Sequence, residues 1–242
     1  MLVLGDIHGQ DKKLQSFILY AKKNPISQLG DLVDSFVATD DEIISCLDIM
    51  IAHRVPFTWG NHELGYILNT GCAGRRVQIV DAINLRLRQM KQYGKIFLWE
   101  QREGTLTILS HGGIGSAFAK KAGLFQDLSA PEIIGRLTAL NDEMDTMIDT
   151  GVVNHAHPVL MASPARGFYG PYSGPIWYDP ERDWDELWQH PNVIQVFGHT
   201  NTNKGLPTVY DGDLKTGITS YIDIDVWGNY CYNTETKIIE EF

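Results

Sequence analysis

Gly5-Asp6-Ile7-His8-Gly9 sets a carboxylate and an imidazole two positions apart, and Gly30-Asp31 supplies a second carboxylate. Gly60-Asn61-His62-Glu63 adds an amide oxygen and another imidazole, and His111 and His199 follow later in the chain. Oxygen and nitrogen donors without thiolate suit manganese, iron, zinc, magnesium or cobalt, and argue against a structural Cys-rich zinc site. A carboxylate that bridges two cations is the simplest way to hold them about 3.5–4 Å apart, as two-metal hydrolases do. With Asp6 and Asp31 as the charged donors, two divalent cations leave such a site net positive and suited to a phosphate dianion. They would orient phosphate oxygens, make a bridging water acidic and stabilise developing charge. The flanking glycines let backbone approach closely and adopt conformations closed to other residues.

These residues act together only if the fold gathers them. Leu2-Val3-Leu4 is a short apolar run that stops at Gly5-Asp6, which predicts a buried strand ending in a loop. Leu14, Phe17, Ile18 and Ala21 keep helical spacing, and Pro25 ends that helix. Residues 26–29 predict a second strand ending at Gly30-Asp31, and residues 55–59 a third ending at Gly60-Asn61. Between them, Asp40 and Asp41 can cap a helix through Ile43, Ile44, Leu47 and Met50. A βαβαβ order implies parallel strands with crossover helices. Open α/β sheets bind ligands outside the carboxyl ends of their strands, so three strand ends aim Asp, His and Asn at one crevice.

Further on, residues 75–90 predict an amphipathic helix, and residues 96–99 and 106–109 predict paired strands around a polar turn at 101–104. The second of these strands ends at Ser110-His111-Gly112-Gly113. Residues 131–148 predict a helix, and residues 193–197 a strand that ends in Gly198-His199. Residues 151–192 are rich in Gly, Pro and aromatics with little periodicity, and a stretch of that length is usually functional. The tail from 207 to 239 alternates apolar and polar residues, with turn signals at Asp211-Gly212 and Gly228-Asn229, and predicts antiparallel strands. No repeat or linker interrupts the chain, so a single domain over residues 1–242 is expected.

The formal charge of -10 excludes a general basic surface for nucleic acid, although bound cations can reverse the sign locally. A hydrophobic fraction of 43% and a charged fraction of 21% fit a soluble globular chain. Cys46, Cys72 and Cys231 are odd in number and far apart, which fits a reducing compartment rather than a disulfide framework. Met1 leads into Gly5-Asp6 too soon for the apolar region of a cleavable signal peptide, and no apolar run can span a bilayer. A cytoplasmic protein is expected, with no membrane partner, and its oligomeric state is left open.

Taken in order, Gly5-Asp6-Ile7-His8-Gly9, Gly30-Asp31-Leu32-Val33-Asp34, Gly60-Asn61-His62-Glu63, His111-Gly112-Gly113 and Gly198-His199-Thr200 resemble the motif set of calcineurin-like metallophosphoesterases, closest to the bacterial and phage serine/threonine protein phosphatase type. The resemblance implies an α/β fold in which a two-sheet β-sandwich is flanked by helices, in α/β/β/α layers. It implies that Asp6, His8 and Asp31 hold the first of two divalent cations, and that Asp31 bridges to a second held by Asn61, His111 and His199. Manganese leads the cations to be expected, with iron, zinc, magnesium, cobalt and nickel behind it. His62 would be the general acid for the leaving group, with Asp34 hydrogen-bonded to it and keeping it protonated. The reaction implied is one-step phosphomonoester hydrolysis by metal-bound hydroxide, on a phosphoprotein or a nucleotide.

Four positions depart from that pattern. Ser35 stands where such phosphatases usually carry a phosphate-binding Arg, and Phe36 follows where Gly is usual. Trp59 replaces a frequent Arg before Gly-Asn-His-Glu, and Asn201 replaces the second His of the Gly-His-x-His found in many phosphodiesterase branches. The phosphate clamp would then fall to Arg166, or next to Arg75 and Arg76. Tyr169, Tyr172, Trp177 and Trp184 read either as a substrate wall or as a loop folded on its own aromatics, and His155 and His157 as a polar loop pair. Ser35 and Trp59 keep two rivals in view, a dinucleoside polyphosphate hydrolase and a nucleotide phosphodiesterase. A catalytically silent metal-binding interaction module is a third.

Overall fold

The computed structural model describes residues 1–35, 37–200, 206–210, 220–226 and 228–242. The predicted βαβαβ start is present as β1 (Leu2–Leu4), α1 (Asp11–Ala21), β2 (Ile26–Gln28), α2 (Asp40–His53) and β3 (Phe57–Thr58). Both strand pairs, β1 with β2 and β2 with β3, are parallel. The start of α2 is fixed by a reciprocal capping box: Glu42 N–H donates to the Thr39 hydroxyl, and Thr39 N–H donates back to the Glu42 carboxylate. Then follow α3 (Asn61–Ile67), α4 (Val80–Met90), β4 (Gly94–Lys95), β5 (Leu98–Arg102) and β6 (Thr105–Leu109). After α5 (Ser116–Ala122) and α6 (Ala130–Thr150) come β7 (Val193–Phe197), β8 (Thr208–Tyr210), β9 (Ser220–Asp223), β10 (Tyr230–Asn233) and β11 (Ile238–Glu241).

Among the described residues the strands form two sheets, a six-stranded one in the order β11-β10-β1-β2-β3-β4 and a five-stranded one in the order β5-β6-β7-β9-β8. Alternation along each strand decides which face meets what. Val3 of β1 and Tyr232 of β10 pack with Leu109, Val196 and Ile222 of the other sheet, in a buried layer between the sheets. Leu2 and Leu4, one step along, turn instead toward Phe17 and Leu47 of the helices. Ile108 likewise joins Phe118, Ile133 and Leu137 on the far side. The result is the expected sandwich with helices on its outer faces. No helix among the described residues is long and apolar enough to cross a membrane.

Several boundaries differ from the sequence reading, each for a local reason. The helix expected from residue 75 begins only at Val80, after a 3-10 turn at Val77–Ile79. Arg76 N–H donates to the Tyr66 hydroxyl and its guanidinium to the carbonyls of Ser35 and Ala38, which holds that segment out of the helix. The hairpin turn is Glu103-Gly104, both at positive φ, so Gln101 belongs to β5 rather than to the turn. Residues 96 and 97 leave the ladder because both backbone N–H groups donate to Asn141 Oδ1. The short helices α3 and α5 carry too few residues to show a period in the sequence.

The tail does form antiparallel pairs, β8 with β9 and β10 with β11. However, it divides between the sheets: β9 runs parallel to β7, and β10 returns to pair antiparallel with β1. Phe36, Asn201 and the Asp211-Gly212 turn lie outside the described residues.

Candidate metal centre

The carboxyl ends of β1, β2 and β3 carry Asp6 and His8, Asp31, and Asn61, while His111 and His199 follow the parallel neighbours β6 and β7 of the other sheet. The two sheets therefore bring their strand ends to one cleft. Four of the candidate residues are non-glycine yet lie in the left-handed region: His8 (φ 47), Asp31 (φ 52), Asp34 (φ 56) and His199 (φ 72). That conformation is costly outside glycine and persists where surrounding structure imposes it, characteristically at functional sites.

What imposes it is visible around Asp31. The buried Glu63 carboxylate accepts the backbone N–H groups of Asp31 (2.8 Å) and Gly60 (3.2 Å) on Oε2, and those of Leu32 (2.8 Å) and Val33 (3.1 Å) on Oε1. Burial and the nearby Asp31 charge push the Glu63 carboxyl up, and the backbone donors oppose that shift. Gly60 has no room for a side chain, since a Cβ there would sit 2.2 Å from Asp31 Oδ1. Gly198 is equally constrained, with a hypothetical Cβ 2.2 Å from Asp6 Oδ1. The Asp6 carboxylate in turn accepts His199 N–H at 3.2 Å, tying the two sheets together.

The donor atoms converge in two groups. His111 Nδ1 donates to the Leu29 carbonyl at 2.7 Å, which directs Nε2 into the cleft. That Nε2 lies 3.0 Å from Asn61 Oδ1, 3.0 Å from His199 Nδ1 and 3.3 Å from Asp31 Oδ2. In the second group, His8 Nδ1 bonds the Asp34 carbonyl at 2.8 Å, and Nε2 is 3.8 Å from both Asp6 Oδ2 and Asp31 Oδ2. His111 Nε2 and the three lone-pair-bearing atoms around it, with Asp31 also reaching the His8 group, are a donor set that fits two cations sharing one carboxylate. His199 Nε2 is buried with no hydrogen-bond partner, which a site that recruits only its Nδ1 would leave in place.

Electrostatics agree. The cleft lined by Asp6, His8, Asp34, His62, His199 and Asp225 has a volume of ≈ 280 Å³ and, among the described residues, no Lys or Arg in its lining. Burial, then Asp225 and Asp31, push the Asp6 carboxyl well above the ordinary range. Burial opposes ionisation of Asp31, yet His111, His62 and His8 hold its carboxyl well below that range. Burial, then His111 and Arg166, pull the His199 imidazole well down, toward the neutral form that binds metal.

His62 stands beside this group. Its Nδ1 donates to Asp34 Oδ2 at 2.9 Å, and its Nε2 faces the cleft 3.7 Å from Asp31 Oδ2. Burial alone would lower its pKa, but the Asp31 charge and the Asp34 hydrogen bond outweigh it and keep His62 well above the usual histidine value. Asp34 is held from its other oxygen by the Tyr66 hydroxyl at 2.5 Å.

The arginines lie elsewhere. Arg75 donates to Asn69 Oδ1 and covers the Tyr66 ring at 5.2 Å, while Arg76 braces the Ser35 and Ala38 carbonyls and Asp40. Neither lines the cleft. Arg166 is mostly buried, paired with Asp179 at 2.9 Å and donating to the Trp177 carbonyl, on the His199 side of the centre. Trp59 is fully buried against Phe57, so this position does not reach the cleft. Ser35 does line it, although its hydroxyl accepts the N–H groups of Val37 and Ala38.

Trp177 lies 5.9 Å from His199, ring centre to ring centre, and helps enclose a second pocket of ≈ 380 Å³ with Leu64, Met161, Phe168 and Tyr169. His155 lines that pocket, His157 is taken by Glu143 at 2.7 Å, and Trp184 is exposed.

Sequence reasoning missed four contributors: Glu63 as the brace of the Asp31 turn, Tyr66 behind Asp34, Lys13, and Asp225. Lys13 is buried beneath Asp6 and donates to the carbonyls of Asp6 and Val226. Asp225 follows β9 as Asp6 follows β1, so the strand-end rule was the signal that could have found it.

A family profile described as calcineurin-like phosphoesterase matches residues 1–203. No curated protein matches the chain. Among solved structures, the chain is similar to a putative diadenosine tetraphosphatase, at 12% identity and a TM-score of 0.48, covering 99% of this chain and 90% of that one. It is also similar to a protein serine/threonine phosphatase from Saccharomyces cerevisiae, at 14% identity and a TM-score of 0.45, covering 93% and 66%. A novel archaeal phosphodiesterase is similar at 10% identity and a TM-score of 0.42, covering 100% and 99%.

Proposed function

The chain belongs to the calcineurin-like phosphoesterase family, and on that basis we propose that it is a metal-dependent phosphomonoesterase of serine/threonine protein phosphatase type. The observation that carries this reading is the convergence of Asn61 Oδ1, Asp31 Oδ2 and His199 Nδ1 on His111 Nε2, beside an intact His62–Asp34 pair. Two divalent cations there, manganese first among them, would supply Lewis acidity and an acidic water. Asp6, His8 and Asp31 would hold one, and Asp31, Asn61, His111 and His199 the other.

The remaining roles belong to the chain. Glu63 fixes the Asp31 turn so that the shared carboxylate needs no reorganisation. Asp34 accepts the Nδ1 proton of His62 and leaves the Nε2 proton facing the cleft, where it can pass to a departing alkoxide. Tyr66 keeps Asp34 from turning away. An imidazole whose pKa is raised stays protonated at neutral pH, as an acid catalyst must. This intact pair argues against a silent binding module. Three free cysteines accord with the cytoplasmic location we assign.

A nucleotide reading is favoured by one observation, the apolar pocket beside Asn61, where Phe168, Tyr169 and Trp177 could stack on a base. A substrate panel with manganese decides between the two. Turnover of phosphoserine and phosphothreonine peptides without dinucleoside polyphosphates supports the phosphatase, and the reverse pattern refutes it. His62→Ala should retain both cations while losing about 10²–10⁴-fold in turnover of substrates with poor leaving groups. Unchanged turnover there would remove His62 from the mechanism.

A further inference from the structure

One oxygen of the His62–Asp34 pair carries more than the pair needs. Asp34 Oδ2 receives His62 Nδ1 at 2.9 Å and also the Cys72 thiol at 3.1 Å, while Tyr66 occupies Oδ1. A sulfur, an imidazole nitrogen and a carboxylate oxygen thus face one another, all within 4.8 Å. We infer that Asp34, His62 and Cys72 form a third metal site, selective for a thiophilic divalent cation of the zinc class, and that its occupancy switches turnover off.

The donor set separates this site from the main centre. The cleft offers oxygen and nitrogen alone, which suits manganese and its neighbours, whereas thiolate selects zinc and softer cations. A tetrahedral zinc ion with ligands at about 2.0–2.3 Å places those ligands about 3.4 Å apart. The observed 2.9 and 3.1 Å separations need to open by a few tenths of an ångström. Cys72 lies between Gly71 and Gly74, both at positive φ, in a segment with backbone freedom to allow that. It is only half-buried, and the neighbouring Ala73 and Gly74 line the cleft, so the cation has access and a water can take the fourth position.

Binding involves no redox change. The thiol proton of Cys72 and the Nδ1 proton of His62 leave to solvent, and the cation takes both lone pairs. The Nε2 proton stays, but the imidazole can no longer carry the positive charge that makes it a ready acid. This consequence rests on the proposed role of His62. The binding itself does not.

The test uses the protein loaded with manganese and kept in excess manganese, then titrated with cobalt or zinc. One equivalent of cobalt should bring up a thiolate-to-cobalt charge-transfer band, absent from Cys72→Ser and Cys72→Ala. In parallel, zinc should suppress aryl phosphate turnover by the wild type. Both variants should keep their manganese-supported rate and need at least about tenfold more zinc for the same loss. A wild type without the thiolate band overturns the site, and equal zinc sensitivity in all three proteins overturns the switch, because zinc is then acting in the main cleft. A thiolate band in a protein that hydrolyses no phosphoester would leave the site standing and sink the functional reading instead.

Discussion

Glu63→Gln isolates the brace beneath the candidate centre. The side chain is fully buried, and each of its two carboxylate oxygens accepts two backbone N–H groups, from Asp31 and Gly60 on one and from Leu32 and Val33 on the other. Glutamine keeps the shape but exchanges one oxygen for an NH2 group, which cannot accept. Whichever way the amide is turned, two backbone donors lose their acceptor and meet a donor instead. A buried donor left unsatisfied costs about 1–3 kcal/mol, so the variant should lose about 2–6 kcal/mol. That is a large share of the roughly 5–15 kcal/mol that holds a typical domain together. The four donors belong to the turns that carry Asp31 and Asn61, so cation affinity should fall about 10–100-fold, as when an outer hydrogen-bond partner of a metal ligand is lost. Urea unfolding reads the first quantity, and calorimetric titration of manganese into chelator-stripped protein reads the second. A loss under about 1 kcal/mol together with manganese affinity within about twofold would refute the assignment of Glu63 as the brace.

Other consequences can be checked independently. His62 is held above the usual histidine value, and as the proposed general acid it would act when protonated, so turnover of poor leaving groups should fall as pH rises through that raised pKa. Asp34→Asn removes part of what raises it and should move the alkaline limb of the rate profile toward acid, and an unmoved limb would show that the pair does not set it. Burial pushes the Asp223 carboxyl up to about 9, so the folded state keeps a proton that the unfolded chain has lost, and wild-type stability declines as pH rises toward that value. Asp223→Asn should therefore raise the melting temperature more at pH about 8 than at pH about 5, and an equal shift at both would refute this. Asp179→Asn should cost about 3 kcal/mol in chemical denaturation by leaving the mostly buried Arg166 guanidinium without its counter-charge, and a cost below about 1 kcal/mol would mean that solvent already screens it.

The sandwich and the gathering of the candidate donors at the strand ends are legible in the sequence because both depend on short-range signals. Apolar runs ending in Gly-Asp or Gly-Asn marked β1, β2 and β3, and the polar residue after each strand pointed into the cleft. The same rule applied to β9 returns Asp225, but the alternation of the tail predicts only antiparallel strands, and its division between both sheets depends on long-range pairing. Glu63, Tyr66 and Lys13 were hidden for another reason. Their partners lie across the fold, as when Glu63 reaches the N–H of Asp31 or Lys13 reaches the carbonyl of Val226, and no local spacing encodes such contacts. Arg75 and Arg76 show the converse case. Their position after the third motif points to a role at phosphate, whereas Tyr66, Asn69 and the Ser35 and Ala38 carbonyls engage them. Trp59, which stands where an Arg is frequent before Gly-Asn-His-Glu, is part of the core against Phe57.

Asp6, Asp31 and Asn61 follow strands of one sheet, and His111 and His199 follow strands of the other. Cations shared across that line would serve as rivets as well as catalysts. Binding that favours the folded chain adds stability in proportion to the logarithm of free cation, about 2.7 kcal/mol at a hundred times the dissociation constant. A chain starved of metal would then do more than idle: it would part more often along the seam between its sheets, where proteases find unfolded backbone. Metal supply would set how long each molecule survives as well as how fast it works.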